Sequence, residues 1–173
     1  MKNKIKTIIA GWLGIKNGIG ASGKVRITKT RAGTREVLSV MEIKNLIVSG
    51  DNTGRNLICQ RLAGTNTYSL NITHADIGTG TNAPANGDTA LQTPTVRGAL
   101  TLASISNNIV TLQFFFSDAT LPNGSYTEFG TFVDGSATIG TGQLFNRALF
   151  GITYNKAAGE DTTVEVEFEI TSI

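Results

Sequence analysis

The stretch Val164-Glu165-Val166-Glu167-Phe168-Glu169-Ile170 has the clearest pattern in the sequence and decides the fold class. Apolar and acidic side chains alternate strictly along it. Successive side chains of a β-strand point to opposite faces, so one face of this stretch packs on a core while the other is acidic and wet. It predicts the last strand of an antiparallel sheet that has one buried and one solvated face.

The composition extends this prediction to the whole chain. The 173 residues include 20 glycines, 24 threonines and 14 asparagines, a third of the total. Threonine suits a pleated, half-buried surface, and glycine and asparagine supply turns. Charged residues make up 16% of the chain, against about 25% in ordinary soluble domains, and 40% of the residues are apolar. These values argue against a helical bundle, a coiled coil, a doubly wound α/β enzyme and a disordered chain, and they favour an all-β fold.

Further strands are predicted on both sides of one short helix. Alternation over 24–48 indicates a hairpin, and capping residues followed by Leu57, Ile58 and Leu62 indicate a helix over 53–63. The candidate strands beyond it are 68–77, 96–105, 109–117, 126–133, 144–154 and the closing stretch. We therefore expect residues 24–173 to form an antiparallel β-sandwich, jelly-roll or immunoglobulin-like, with one short helix.

Residues 1–23 are predicted to form an extended, glycine-rich N-terminal arm. Their apolar run is short and interrupted by glycines, which favours mature sequence over a signal peptide. Residues 1–44 carry a net charge of +8 and residues 45–173 a net charge of −6. A basic arm on an acidic body favours packing on a neighbouring copy, and nucleic acid is the less favoured alternative. The candidate contacts of the arm are Lys4, Ile8 and Trp12.

The motifs of the sequence do not predict catalysis, cofactor binding or a metal site. Gly18-Ile-Gly-Ala-Ser-Gly23 matches a dinucleotide-binding fingerprint, but the residues after it alternate like a strand and do not supply the helix that would bind phosphate. His74 is the one histidine, and a structural role on a strand is favoured. Cys59, the one cysteine, is predicted to be a buried thiol of the helix. We therefore expect a protein that is not an enzyme.

Several short motifs, in a fixed order, resemble those of small virion proteins of tailed bacteriophages. They are Lys44-Asn-Leu-Ile-Val48, Gly54-Arg-Asn-Leu-Ile58, Leu62-Ala-Gly64, Ile72-Thr-His-Ala-Asp-Ile-Gly-Thr-Gly-Thr81, Asp88-Thr-Ala-Leu91, Glu128-Phe-Gly-Thr-Phe132 and Gly142-Gln-Leu-Phe-Asn-Arg-Ala-Leu-Phe150. The resemblance covers residues 44–170 and leaves residues 1–23 out. It implies a non-enzymatic β-sandwich structural protein of the phage particle, in the tail, baseplate, fibre or head-decoration class, and it carries over no catalytic residue.

Some strands are apolar on both faces, which points to interfaces between subunits. The candidate strand 144–154 and the three phenylalanines at 114–116 must be covered on both sides, by a second layer or by another copy. The segment 78–94 has few apolar residues of its own and is expected to dock on a neighbour. The acidic face of the closing strand is a candidate acceptor for the basic arm. The interface candidates on the body are Phe115, Phe145, Leu149, Glu165, Glu167 and Glu169.

The sequence thus predicts a tail, baseplate or fibre-type component of a tailed-phage virion that forms homo-oligomers and contacts other virion proteins. One alternative is a head-decoration protein that stabilises the capsid. Another, from a different class, is a carbohydrate- or surface-binding β module, which needs exposed aromatic side chains. The chain has only one tryptophan and three tyrosines, which weakens this alternative. No apolar run approaches the ~20 residues that span a bilayer, so the expected location is the virion and not a membrane.

Overall fold

Nine antiparallel strands and one helix form the part of the chain that the computed structural model describes, residues 19–172. In chain order they are β1 (Ile19–Arg31), β2 (Val37–Lys44), β3 (Leu46–Ile47), α1 (Gly54–Leu62), β4 (Ile72–Gly78), β5 (Pro94–Ser106), β6 (Ile109–Phe116), β7 (Gly124–Val133), β8 (Gln143–Lys156) and β9 (Glu160–Ser172). The predicted all-β class with one short helix is confirmed. Each strand predicted after the helix corresponds to one observed strand, with its ends displaced by a few residues.

The strands form a single sheet that is nearly closed into a barrel. Their order across the sheet is β2-β1-β9-β6-β5-β4-β7-β8-β3. Only Asn45 separates β2 from β3 in the chain, although these two strands lie at opposite ends of the order. The segment 37–47 therefore brings the two edges of the sheet together, because its first part pairs with β1 and its last part pairs with β8.

Strand β5 is the reason why the predicted division into two sheets is not confirmed. Its 13 residues pair with β4 up to Ala99 and with β6 from Leu100 onward, so the hydrogen bonding runs on from one half of the sheet to the other. The register shifts between Leu100 and Leu102, and an irregularity of this kind bends a strand. One long, bent strand thus joins the two halves into one sheet. The spacing of strands in the sequence is equally compatible with two separate layers.

The core lies inside the barrel and is built from one face of most strands. In β9, Val164, Val166 and Phe168 are buried, as the alternation predicts. Phe114 of β6 and Phe129 of β7 meet edge to face in this core, with their ring centroids 6.1 Å apart. The pattern that decides the fold class in the sequence therefore also identifies which face of β9 is buried.

Residues 19–23, the end of the N-terminal arm predicted over 1–23, belong to β1 instead, and residues 1–18 lie outside the described part of the chain. This strand pairs with β9 along its whole length, from Ile19 opposite Ser172 to Arg31 opposite Glu160. Residues 19–23 do not show the alternation of a strand, since glycines interrupt them, and their conformation is set by the partner strand instead. The arm candidates Lys4, Ile8 and Trp12 lie outside the described residues.

The helix predicted over 53–63 is confirmed as α1, but its buried face is smaller than expected. Leu57 and Gly54 are its buried residues, and Cys59 is exposed, so the prediction of a buried thiol is wrong. Cys59 lies two positions after Leu57, and at 3.6 residues per turn that places it on the opposite side of the helix. Gly54 is required at the start, since it has φ of 35° and a Cβ would lie 2.1 Å from the Val48 carbonyl oxygen.

A second, smaller apolar cluster lies on the outward face of β7 and β8. It consists of Val48, Leu91, Phe132 and Leu144. Leu91 belongs to the segment 78–94, so this segment packs in part on its own sheet. Its docking on a neighbour stays a prediction. The outward face of β8 is therefore covered at Leu144 by this chain itself.

Candidate functional site

Glu128 is a fully buried carboxylate on the outward face of β7. Its two oxygens accept the backbone N–H groups of Gly80, Gln92 and Thr93 at 2.7–3.0 Å. These donors belong to the two sides of the loop between β4 and β5, so one carboxylate fixes both sides of the loop against the sheet. Gly80 leaves no room for a side chain, because a Cβ there would lie 2.4 Å from Glu128 Oε1.

Arg147 completes this buried network from the neighbouring strand β8. Its guanidinium donates to Glu128 Oε2 at 2.8 Å, to Asp88 Oδ2 at 2.7 Å and to the carbonyl oxygen of Asn82 at 3.1 Å. The side chains of Arg147 and Glu128 are 3% and 0% exposed. Because both oxygens of Glu128 already accept hydrogen bonds from this chain, the network holds a loop in place and does not offer a carboxylate to a ligand.

A second buried ion pair joins Asp76 of β4 to Arg97 of β5. The two side chains form a bidentate contact, Nε to Oδ1 at 2.5 Å and Nη2 to Oδ2 at 2.9 Å. Arg97 Nη1 also donates to the carbonyl oxygens of Ser136, Thr138 and Thr141 at 3.1, 2.9 and 2.8 Å. This pair therefore ties the loop between β7 and β8 to the neighbouring strands β4 and β5.

The residues that could carry chemistry are not assembled into a reactive group in residues 19–172. His74 Nδ1 lies 3.1 Å from Thr73 Oγ1, and the nearby Asp76 carboxylate is occupied by Arg97. Among the described residues there is no cluster of three or more histidine, cysteine, aspartate or glutamate side chains that could hold a metal ion. No helix in this part of the chain is long and apolar enough to cross a bilayer.

The acidic face of β9 is partly neutralised by this chain's own β1. Lys24 forms an ion pair with Glu167 at 3.0 Å, and Gln113 Nε2 donates to Glu165 at 3.4 Å. Glu169 takes part in no ion pair with the described residues. Part of the excess basic charge of residues 1–44 is therefore paired with acidic side chains of the same sheet. The charge count alone does not reveal this pairing.

The three apolar interface candidates do not share one surface. Phe145 lies inside the barrel end, where its ring meets the ring of Phe168 edge to face at 5.1 Å. Leu149 is half-buried and pairs with Glu128. Phe115 is exposed on the outward face of β6, opposite Thr163 of β9. Phe115 alone of the three therefore keeps the exposure that a contact with another molecule needs.

The most conspicuous apolar surface is one that the sequence analysis missed, at the seam where the barrel stays open. In the described part of the chain β2 pairs with β1 alone, and β3 pairs with β8 only through Leu46 and Ile47. Val37, Val40 and Ile152, beside this seam, are 57%, 54% and 76% exposed. The signal in the sequence is the run Val37-Leu38-Ser39-Val40, which is apolar on both faces of a strand.

A buried lysine near the turn between β8 and β9 has an acidic partner whose titration affects stability. Lys156 is fully buried and its ammonium donates to Asp118 Oδ1 at 2.5 Å and to Asn123 Oδ1 at 3.2 Å. The hydrogen bond from Lys156, together with one from the Gly159 N–H, lowers the pKa of Asp118 below its ordinary value. Asp118 is therefore ionised more readily in the folded chain than in the unfolded chain.

This lowered pKa predicts a loss of stability in acid. The stabilisation by Asp118 is fully present above the pKa of an unfolded aspartate, about 3.9, and is lost as the pH falls through the lower folded value. Replacing Asp118→Asn should reduce stability at neutral pH and flatten its pH dependence below about pH 4. Urea unfolding at several pH values measures this. Asp51→Asn, at an exposed site before α1, is the control, and equal pH profiles for the two variants would contradict the assignment.

Comparison of the chain with protein-family models, with curated proteins and with solved structures finds no match in any of the three.

Proposed function

We propose that this chain is a structural component of a tailed-phage virion, of the tail, baseplate or fibre class, and that it works by assembling with copies of itself and with other virion proteins. The order of short motifs over residues 44–170 supports the phage class. The observation that carries the assembly role is the open seam between β2 and β8 with its exposed apolar side chains.

An unpaired strand edge with apolar side chains is a liability for a protein that works alone. Soluble proteins blunt such edges with charges, prolines or a covering loop, since a free edge is a template for pairing with another chain. The charged residues of β2, Glu42 and Lys44, lie in its second half, whereas its first half exposes Val37 and Val40 and has no charge. Ile152 lies on the β8 side. A second copy that covers the seam would satisfy the backbone groups and bury these side chains.

The test of this proposal is the oligomeric mass of two variants. Ile152→Lys places a charge at the seam and is expected to shift the protein from oligomer to monomer in light scattering, while its circular dichroism stays unchanged. Leu62→Lys is the matched control, because Leu62 is at least as exposed as Ile152 but lies at the end of α1, and it should keep the oligomer.

The virion role itself is tested in the same pair of variants. Wild type and Leu62→Lys should be recovered in purified particles of the phage that encodes the chain, and Ile152→Lys should be depleted from them. A wild-type protein that is monomeric at all concentrations and absent from particles would overturn the proposal.

The carbohydrate-binding alternative has little geometric support in the described residues. Tyr126 and Tyr154 are buried in the barrel core and cannot stack on a sugar, and Tyr68 is only half exposed. Saccharide-specific binding on a glycan array would reverse this preference.

The finer description of the fold as a jelly-roll or immunoglobulin-like sandwich also stays a proposal. It is supported by the way in which β5 divides its pairing between β4 and β6, since a strand that changes partners at a bend is how two packed layers are joined at a corner. A flattened barrel and a sandwich with joined corners differ only in how far the seam is open.

A further inference from the structure

An apolar cavity opens at the end of the barrel where β5 turns into β6. It has a volume of about 770 Å³, within the range of about 300–1,000 Å³ that is typical of ligand pockets. Its walls are mainly apolar and come from β4, β5, β6, β8 and β9. They include Ile72, Leu100, Val110, Leu112, Phe145 and Phe168. The mouth of a β-barrel is a common place for a small-molecule site.

Small inward-facing side chains leave room at this end of the barrel. Val25 of β1 is fully buried in the core, and the two-residue period of a strand places Ala21 on the same face at the barrel end. In β5, Ala103 lies opposite Leu112 and lines the cavity together with it. The barrel interior is therefore filled by large side chains in its middle and only partly filled at this end.

The cavity has depth, which distinguishes it from a flat contact surface. Leu112 and Phe168 form its floor and are 6% and 4% exposed, whereas Ile105 and Ile170 line its mouth and are 80% and 45% exposed. On the floor the ring of Phe168 meets the ring of Phe145 edge to face, with the centroids 5.1 Å apart. This shape suits a slender molecule that enters the barrel end, and it does not suit the broad face of a second protein.

None of the described residues that line the cavity is charged. Among its polar residues, Thr73 and Asn108 already donate to backbone carbonyl oxygens, at 3.0 and 2.7 Å. Asn71 and Asn107 are exposed, and their amide groups can hydrogen-bond an uncharged head group. A carboxylate or an ammonium group would lose hydration here without gaining a counter-charge, and that loss is costly. The lining therefore selects against a charged ligand.

We propose that this cavity binds a neutral, lipid-like molecule, whose hydrocarbon chain lies on the phenylalanine floor and whose uncharged hydroxyl or ester group lies at the asparagines of the mouth. Water molecules in an apolar cavity lack hydrogen-bond partners, so a hydrocarbon chain that displaces them gains free energy. The inference does not rest on the virion role, because it concerns a small molecule and a single copy of the chain.

One side of the mouth is held in a defined shape by hydrogen bonds of this chain. Leu70 lines the cavity and has φ of 69°, a left-handed conformation that is unfavourable for leucine. Asp134 fixes the turn around it, because its carboxylate accepts the Ser69 N–H at 2.7 Å and the Ser69 hydroxyl, while the Asp134 N–H donates to the Asn71 carbonyl oxygen at 3.0 Å. The mouth is therefore formed before a ligand arrives, and binding avoids the cost of ordering this turn.

Binding of the neutral fluorescent dye Nile red to the full chain tests the proposal. The dye emission should rise, shift to shorter wavelength and saturate at one dye per chain. Decanol should displace the dye at a concentration about tenfold or more below that of decanoate at neutral pH, because the carboxylate must be desolvated without a counter-charge. Equal displacement by the two compounds would overturn the proposal, and so would the absence of saturable dye binding.

Ala103→Lys should reverse the preference for a neutral ligand in the same assay. Ala103 is an exposed residue of the cavity wall, so the fold should tolerate a lysine there, and the ammonium group supplies a partner for a carboxylate. Decanol should lose about tenfold in affinity, and decanoate should then bind at least as tightly as decanol. Ser104→Lys is the matched control on the opposite face of β5, beside Thr111, and it should leave both affinities unchanged.

Equal effects of the two lysine variants would place the ligand outside the cavity and overturn the proposal. Light scattering at the concentrations of the dye assay separates a small molecule from a second copy as the occupant. Dye binding that is lost as dimers form would assign the cavity to a second copy, which would also overturn the proposal.

Discussion

Replacing Glu128→Ala is expected to lower the free energy of unfolding by about 3–5 kcal/mol, the range found when one partner of a buried ion pair is removed. The variant leaves Arg147 buried beside Asp88 alone. It also leaves the N–H groups of Gly80, Gln92 and Thr93 without their acceptor. The loop between β4 and β5 loses the carboxylate that fixes both of its sides and keeps its contacts through Arg147 and Leu91, so it should also become more susceptible to proteolysis.

Chemical unfolding followed by circular dichroism measures the first effect, and limited proteolysis with mass spectrometry measures the second. Glu42→Ala is the matched control, because Glu42 also pairs with an arginine, Arg26, but both side chains are about half exposed. Exposed pairs contribute little to stability, so the control should unfold close to wild type. Equal losses of unfolding free energy in the two variants would show that the contribution of the Glu128 network to stability does not depend on its burial.

The parts of the fold that the sequence predicts are those with a local signal. Alternation over 164–170 identifies β9 and its buried face, and Ser106-Asn107-Asn108 between two apolar runs identifies the β5–β6 hairpin, where Asn107 has φ of 53°. The helix is found because capping residues and Gly64 mark its two ends. Each of these signals lies within a window of about ten residues, which is the distance over which periodicity acts.

The barrel and the buried charges depend on contacts that no window contains. Closure follows from β2 and β3 reaching opposite edges of the sheet, and residues 19–23 become a strand only because β9 lies beside them. Glu128 and Arg147 are 19 residues apart, and Asp76 and Arg97 are 21 residues apart. Charged residues are nearly always exposed, so a sequence reading places them outside by default. A glutamate within the apolar strand Tyr126–Val133 was the available hint.

The interface candidates show the same limit for the site. The sequence correctly requires that a strand apolar on both faces be covered twice, but it cannot say that this chain supplies the second cover through Leu91 and Phe132. It likewise counts Lys24 with a basic arm, whereas the fold pairs it with Glu167. Apolar surface that the chain itself covers is not available to a partner. Only the surface that stays exposed in the fold, at the seam and at the barrel end, can be assigned to one.

Arg97→Met should reduce stability by an amount comparable to Glu128→Ala, about 3–5 kcal/mol, since it leaves the 1%-exposed Asp76 carboxylate without its counter-charge. Burial raises the pKa of Asp76, and Arg97 opposes that rise. In the variant the opposition is gone, so the carboxyl should take up a proton in the folded state at a higher pH than in the unfolded state. The defect should therefore shrink as the pH falls through the raised pKa, which urea unfolding between neutral and acid pH measures.

The double variant Asp76→Val/Arg97→Met distinguishes an uncompensated charge from the other contacts of Arg97. If the buried charge is the main cost, removing both partners should recover most of the stability that Arg97→Met loses, because apolar pairs of similar volume commonly replace buried ion pairs without penalty. The carbonyl oxygens of Ser136, Thr138 and Thr141 lose their donor in both variants, so a residual loss measures their contribution. A double variant no more stable than Arg97→Met would mean that the pair holds the loop between β7 and β8 through those carbonyls and that its charge is incidental.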